Sequence, residues 1–595
     1  MKVFFGSASK FYKHIILFFS AFANRRVPLA DETPTPKQIA GNWHFVTNSR
    51  WFHPLLLLLW LMIGLGLRLT NLTAKPPWTD EFSTLVFSLG NSFLQVPLDQ
   101  AIAPDILLQP LQPQASDTIQ DVWAHLSHET NHPPLYFFLA HWWMQLFPTQ
   151  QGLVSLWGAR SLSAIFGAAS IPAIYGLGWL TFRSRLIAHI AAAIMAVSPY
   201  AIFLAQEARH YTLAILWVIA SFACLIIATR HIQHRTQLPI TTALAWVVIN
   251  AFGIATHYFF VLTLGSEALV LIFLAWRQSN FTSPPWRRIY AVAAGTAVSG
   301  IVWVPIFLQN NYGDKLTDWI QQPRQGFEWL NPFFQAFAAW VTMLFLLPIE
   351  SPQLAIILIS GLVMLIFFIW FLPIFIRGIK VQLQRPETQV LWGIILAAIA
   401  LFFVFTYFLG IDLTRGARYN FVYFPAVILL LGASLAVRWQ TQEKNYKITG
   451  KQALAIIWLM GFCSAVTVIC NLGYQKYYRP DLFLQLIRQT SQVPVVIATT
   501  QITHVQMGEM MGIAREWKIQ NTPSASLQFV LAHQDQNPNT STNTLNNILK
   551  TLPKPFDLWL VNFRAPTAAE TEKCLAETKS LPAVNGYEYK IYHCQ

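Results

Sequence analysis

Eleven apolar runs, each matching the roughly 17 to 25 residues of a helical membrane span, decide what this chain can fold into. They lie at about 52 to 71, 153 to 180, 186 to 205, 211 to 229, 238 to 256, 259 to 276, 289 to 308, 353 to 376, 389 to 409, 421 to 438 and 453 to 470. In hydrocarbon every backbone polar group needs an internal partner, so runs of this length become helices. With 54% hydrophobic and 11% charged residues among 595, the chain is too apolar for one soluble core. The expected fold is a polytopic α-helical membrane protein of about 11 spans.

Two shorter runs, Pro133 to Phe147 and Phe333 to Pro348, are read as juxtamembrane helices that return to the side they came from. Loop cations then alternate cleanly. Arg183/Arg185, Arg230/Arg235, Arg277/Arg287/Arg288, Arg377/Lys380/Arg385 and Arg438/Lys444/Lys447/Lys451 share one face, which the Lys/Arg bias of short loops makes the cytoplasm. Residues 1–50 join them as a cytoplasmic leader with an interfacial helix, because cleavage after Ala21-Phe-Ala23 would invert that order. The formal net charge of +13 therefore expresses topology and excludes nucleic acid as a partner, since the basic residues form no single patch.

The loop from about 72 to 152 falls outside, with Asp80, Glu81, Asp99, Asp105, Asp117, Asp121 and Glu129 against Lys75. Arg68, Arg160, Arg209, Lys315, Arg324, Arg415 and Arg418 are cations on that outer side, where the charge bias gives no reason to place them. A bound phosphate gives one. After Cys470 the chain turns polar, and Val493–Thr499, Leu527–Leu531, Phe556–Val561 and Tyr587–Tyr592 read as strands of a small extracytoplasmic α/β domain spanning 471–595. Asn537 to Asn547 reads as a loop or disordered insert. Cys574 and Cys594 could close a disulfide if that domain faces an oxidising compartment, whereas Cys224, Cys463 and Cys470 lie in apolar runs as packing residues.

Chemistry concentrates on the outer side. Asp80 and Glu81 sit in Trp78-Thr-Asp-Glu-Phe82, just past the first span, where a carboxylate partly out of water can take a proton from a hydroxyl and a second can orient the acceptor. The bland alternative is a solvated acid pair. His128-Glu-Thr-Asn-His132 matches the zinc-protease pattern, but Pro133-Pro134 pushes His132 off the helix that pattern needs. In Gln206-Glu-Ala-Arg-His-Tyr211, either Glu207 and Arg209 simply pair, with His210 and Tyr211 as interfacial anchors, or Arg209 reaches a phosphate and Glu207 fixes it in place. Thr256-His257-Tyr258 occupies another outer turn. Asp412-Leu-Thr-Arg-Gly-Ala-Arg-Tyr419 brings Arg415, Arg418 and Tyr419 to a helix start suited to an anion. The sequence contains no phosphate-cradling glycine loop, which argues against a cytosolic nucleotide donor.

The ordered series Leu67-Arg-Leu, Trp78-Thr-Asp-Glu-Phe, His132-Pro-Pro-Leu-Tyr, Gly158-Ala-Arg-Ser-Leu-Ser163, Ser198-Pro-Tyr with Gln206-Glu-Ala-Arg-His-Tyr, Thr256-His-Tyr-Phe and Ala417-Arg-Tyr resembles the GT-C glycosyltransferases of family 39 type, the protein O-mannosyltransferase and aminoarabinose transferase relatives. The resemblance covers about 50 to 440 and makes 51–470 the transferase domain. It implies a sugar donor linked to polyprenyl phosphate, used on the extracytoplasmic face of a bacterial inner membrane, with Asp80 as general base and Glu81 beside it. It further implies that His132, Glu207, Arg209, Tyr211, His257, Arg418, Tyr419 and Arg160 line the donor and phosphate site, with no obligatory metal. The acceptor stays open. Three departures stand out: Thr79 where relatives often carry a bulkier residue, an insert at about 95 to 127, and the domain from 471 onward. A transporter or flippase of anionic glycolipids is the competing expectation and requires charges along the bundle interior.

Overall fold

The computed structural model describes residues 50–278, 284–309, 318–321, 324–441, 448–520, 526–567 and 571–595. The leader before residue 50, with Lys315, Lys444 and Lys447, lies outside the described residues. In chain order the helices are α1 (Phe52–Leu69), α2 (Thr79–Leu89), α3 (Ile119–Glu129), α4 (Leu135–Met144), α5 (Leu156–Phe182), α6 (Arg185–Val197), α7 (Pro199–Ala205), α8 (Tyr211–Gln233), α9 (Ile240–Thr256) and α10 (Phe260–Gln278). They continue as α11 (Pro284–Ile301), α12 (Asn331–Leu344), α13 (Leu354–Gln382), α14 (Pro386–Phe408), α15 (Phe424–Gln440), α16 (Gly450–Ile469), α17 (Pro480–Thr490), α18 (His504–Gln520) and α19 (Thr540–Leu549).

Every one of the apolar runs is helical. Among the described residues eight helices are long and apolar enough to cross a membrane, α6 and α7 are so only when taken together across a 55° bend, and α9 and α15 are shorter apolar helices. The two short runs become α4, of 10 residues, and α12, of 14. At 1.5 Å per residue neither approaches a hydrocarbon core of about 30 Å.

The bend between α6 and α7 has a local cause. Pro199 carries no N–H, so the Met195 carbonyl loses its helical donor. Arg68 replaces it, donating to Met195 O at 3.0 Å, Ala196 O at 3.1 Å and Gly64 O at 2.8 Å. This cation is thus fully buried with both terminal nitrogens committed to backbone carbonyls, and is closed to a phosphate.

Beyond α16 lies a six-stranded sheet ordered β1-β3-β2-β4-β6-β5. Its strands are β1 (Ala101–Ile102), β2 (Val495–Gln501), β3 (Leu527–His533), β4 (Phe556–Val561), β5 (Leu575–Ala576) and β6 (Tyr589–Cys594). The central β3, β2 and β4 run parallel. Their alternate residues fill two cores, as a sheet covered on both faces requires: Ile497, Phe529 and Trp559 on one side, Val496, Val530 and Leu558 on the other. Cys574 and Cys594 are disulfide-bonded. The segment expected to be a loop at 537–547 instead enters α19, because Leu545 and Leu549, four residues apart, bury against the sheet and override the weak helix propensity of Asn and Thr.

The boundary at 471 does not separate two cores. β1, from the long loop after α1, pairs antiparallel with β3 through Ala101↔Val530 and Ile102↔Phe529. Phe82, Val86, Phe93 and Leu107 of that loop share one apolar cluster with Met507, Met511, Phe529 and Trp559. A Cβ on Gly508 of α18 would stand 3.3 Å from Thr79 Cα. The small Thr79, the insert and the added domain are therefore one structural device: α18 needs a small residue beneath it, and the insert supplies an edge strand.

Candidate active site

Asp80 and Glu81 occupy the first turn of α2, where carboxylates favour the positive end of the helix dipole. Successive helical residues diverge by about 100°, so the two acids face different surroundings. Glu81 turns inward and is fully buried against Arg160, accepting from Nε at 2.8 Å and Nη2 at 2.7 Å, and from the Ala208 N–H at 2.8 Å. Arg160 Nη1 donates to the carbonyls of Leu72 and Lys75 at 2.8 and 2.9 Å. Burial pushes the Glu81 carboxyl up, but the Arg160 guanidinium outweighs it and holds the group ionised below its ordinary range. Two sequence expectations are corrected here. Glu81 does not open on the outer chamber as a catalytic partner, and Arg160 is closed to phosphate, because each consumes the other's charge.

Asp80 turns the other way. Its Oδ2 lies 3.5 Å from Arg209 Nη2 and 3.6 Å from Arg418 Nη2, with 30% of its side chain exposed. Arg209 is almost wholly buried and donates from Nη1 to Asp80 O at 2.7 Å and Thr84 Oγ1 at 2.9 Å. Its Nη2 lies 2.9 Å from His132 Nε2, so that nitrogen must be the acceptor and His132 carries its proton on Nδ1, 3.0 Å from Thr130 Oγ1. Burial, then the charge of Arg209, pushes the His132 imidazole well below its usual range and keeps it neutral. His132 thus holds Arg209 in place. The zinc pattern is broken as expected, since α3 ends at Glu129 and Thr130 is extended.

Arg418 lies in a cage of rings, 4.7 Å from Trp78, 5.2 Å from Trp319 and 5.3 Å from Tyr419. Tyr200 anchors its backbone by donating to Arg418 O at 2.8 Å. Tyr211, His257 and Tyr419 continue the wall, with His257 5.3 Å from Tyr211 and 6.5 Å from Tyr419, and Tyr211 5.9 Å from the Arg209 guanidinium. Glu207 is the third correction: it neither fixes Arg209 nor lines this wall but forms a buried ion pair with Lys476. Arg324 and Arg415 are paired with Asp412 at 2.9 and 3.5 Å.

Residues that sequence reasoning missed come from far along the chain. Lys476 stands 5.1 Å from the Trp78 ring, and His504, opening α18, stacks on Phe93 at 5.0 Å, its imidazole pushed down to about 4 by burial against the opposing pull of the Asp80 charge. No local motif marks either. A separate feature is an apolar groove of about 240 Å³ lined by Phe337, Trp340, Phe368, Phe403, Thr414, Asn420 and Tyr423 among others. Thr414 and Asn420 belong to the same short segment as Arg418.

No family model matches the sequence, and no curated protein does. Solved structures match over most of its length. ArnT from Cupriavidus metallidurans in the apo state is 11% identical, covering 90% of this chain and 97% of that one at a TM-score of 0.49. The same protein bound to undecaprenyl phosphate is 12% identical, covering 92% and 98% at a TM-score of 0.46. The Archaeoglobus fulgidus oligosaccharyltransferase is 12% identical, covering 86% of this chain and 70% of that one at a TM-score of 0.43. At these scores the likenesses carry no argument about what individual residues do.

Proposed function

We propose that this protein is an integral-membrane glycosyltransferase that moves a sugar from a polyprenyl-phosphate-linked donor to an acceptor hydroxyl or amine at the extracytoplasmic face. One observation carries the reading: the Asp80 carboxylate, partly open to water, is met by two guanidiniums, the buried one of Arg209 and the partly buried one of Arg418, which among the described residues pair with no other acid. Glu81–Arg160 and Glu207–Lys476 are neutral in themselves. The cluster of Asp80, Arg209 and Arg418 therefore keeps one surplus positive charge in a partly desolvated place, which is the condition that favours a phosphate monoanion or diester.

The chemistry follows from that charge count. The acceptor's O–H or N–H gives its proton to Asp80 as the acceptor atom bonds to the anomeric carbon. The bond from that carbon to the phosphate oxygen breaks with its electron pair, and polyprenyl phosphate leaves with one more negative charge than it carried in the donor. Arg209 and Arg418 stabilise that growing charge, so their contacts strengthen toward the transition state. The apolar groove, whose lining includes Asn420, two residues along the chain from Arg418, suits the prenyl chain. The ordered motifs of the family 39 resemblance support the same donor class, and the Cys574–Cys594 bridge supports an oxidising side for the sheet domain. A transporter needs charges strung through the bundle; Asp80, Arg209 and Arg418 gather at one end.

The test is sugar transfer from a polyprenyl-phosphate sugar in proteoliposomes. Asp80→Asn should lower kcat by about 10²- to 10⁴-fold with donor binding retained. Arg418→Ala should weaken binding of polyprenyl phosphate itself. Full turnover in Asp80→Asn removes the base assignment, and polyprenyl phosphate binding that ignores Arg418→Ala removes the phosphate site.

A further inference from the structure

A second cleft, of about 760 Å³, opens on the sheet domain and is lined by Tyr477, Tyr478, Glu509, Asn562, Arg564 and Tyr587 among others. That volume falls within the roughly 300 to 1,000 Å³ of small-ligand sites. Its floor is built. The buried Glu509 carboxylate accepts from Tyr478 Oη at 2.7 Å and Asn562 Nδ2 at 2.8 Å, and Tyr587 Oη donates to the Glu509 carbonyl at 3.3 Å. Asn562 holds a left-handed φ of 49°, a conformation that costs a non-glycine residue and fixes its amide toward Glu509. Tyr477, with 71% of its surface exposed, lines the cleft together with the charged Arg564, Lys579 and Lys590.

The lining selects among ligands. Tyrosine faces interleaved with a carboxylate, an amide and guanidinium or ammonium groups suit a molecule that is apolar on its C–H faces and hydroxylated at its edges. A lipid chain finds too many polar groups here. A peptide that adds a strand needs a free sheet edge, and β6 is already covered by β5 through Leu575↔His593 and Ala576↔Tyr592, with Glu577 N–H donating to Ile591 O at 3.0 Å. The cleft also shares its elements with the reaction chamber. Tyr477 follows Lys476, which pairs with Glu207 and borders Trp78, and Glu509 follows Gly508, whose Cα lies against Thr79.

We propose that this cleft is a saccharide-binding site that holds a glycan chain on the sheet domain while its end reaches the chamber. The holding function stands alone; its use as an acceptor site rests on the transferase reading. The holding function is tested with the full-length protein in detergent micelles, with no donor present, by saturation-transfer NMR and titration with short soluble oligosaccharides, neutral and uronic-acid-containing, and with peptides in parallel. At least one saccharide class should bind, and Tyr477→Ala and Arg564→Ala should each weaken it roughly five- to tenfold, the loss expected of one aromatic or charged contact, with unchanged melting. The proposal is overturned if no saccharide binds, if binding survives both substitutions, or if peptides bind and saccharides do not. If saccharides bind but the protein transfers no sugar, the transferase reading fails and the cleft stands.

Discussion

Glu81 and Arg160 give the sharpest test of whether placement or composition decides a role, because composition alone makes Glu81 as good a catalyst as Asp80. Glu81→Gln removes the charge while keeping the shape. It strands the Arg160 guanidinium at 0% exposure with no carboxylate beside it, the amide oxygen and two backbone carbonyls being its remaining acceptors. Breaking one side of a buried pair costs about 3 to 5 kcal/mol, a large share of the roughly 5 to 15 kcal/mol that holds a typical protein folded. Replacing both, as Glu81→Leu with Arg160→Met, removes the stranded charge. It leaves the Leu72 and Lys75 carbonyls and the Ala208 N–H without these partners, at about 1 to 3 kcal/mol for each that water cannot reach. The double variant should therefore lose less than the sum of the Glu81→Leu and Arg160→Met single losses, by about 0.5 to 3 kcal/mol of coupling. The assay is thermal unfolding of the solubilised protein, read by intrinsic fluorescence, alongside transfer activity measured well below the melting point. Glu81→Gln should melt early yet retain transfer in its folded fraction. An unchanged melting temperature with transfer abolished would refute the reasoning and return Glu81 to the chemistry.

Two further outcomes follow from the same geometry. Lys75 is buried in the loop after α1, its Nζ has no hydrogen-bond partner among the described residues, and burial pushes its amine down to about 7, against the pull of Glu350 and Glu81 and with the push of Arg160. The native state then sheds this proton before the unfolded chain does, so stability should rise with pH from about 7 toward the ordinary lysine range near 10; Lys75→Met should stabilise strongly at pH 6 and much less at pH 9, and equal shifts in melting temperature at both would discard the buried-amine account. Sidedness is read by membrane-impermeant thiol labelling of single cysteines in intact cells: Ser116→Cys, exposed in the first outer loop, should react, and Gln237→Cys, exposed between α8 and α9, should not; the reverse pattern would place the chamber in the cytoplasm.

Much of the chamber was legible along the chain. Hydrophobic run length located each spanning helix, and four runs of alternating residues located the central and closing strands of the sheet. The outer-side arginines could be singled out because charge bias left them unexplained. What charge bias could not do was say where each one's partner lay. Arg68 answers a carbonyl orphaned by Pro199, Arg324 and Arg415 answer Asp412, and Arg160 answers Glu81. The expectation for 537–547 failed for a related reason: helix propensity is worth a few tenths of a kcal/mol per residue, less than burying two leucines.

The sequence by itself determined that this chain is built of membrane helices ending in a small α/β unit, and that acids, histidines and arginines crowd one side of it. Hydrophobic length and periodicity are properties of neighbouring residues, so they need no fold to be read. Only the tertiary structure decided which of two adjacent carboxylates is free. The pitch of α2 sends Asp80 toward two arginines held by His132 and by a cage of rings, and sends Glu81 into a sealed pair. The same holds for Lys476 and His504, which reach the chamber across hundreds of residues because β1 and Gly508 dock the sheet domain onto the first outer loop. Contacts made at such separations leave no local pattern, since each partner is chosen by the fold that brings it near.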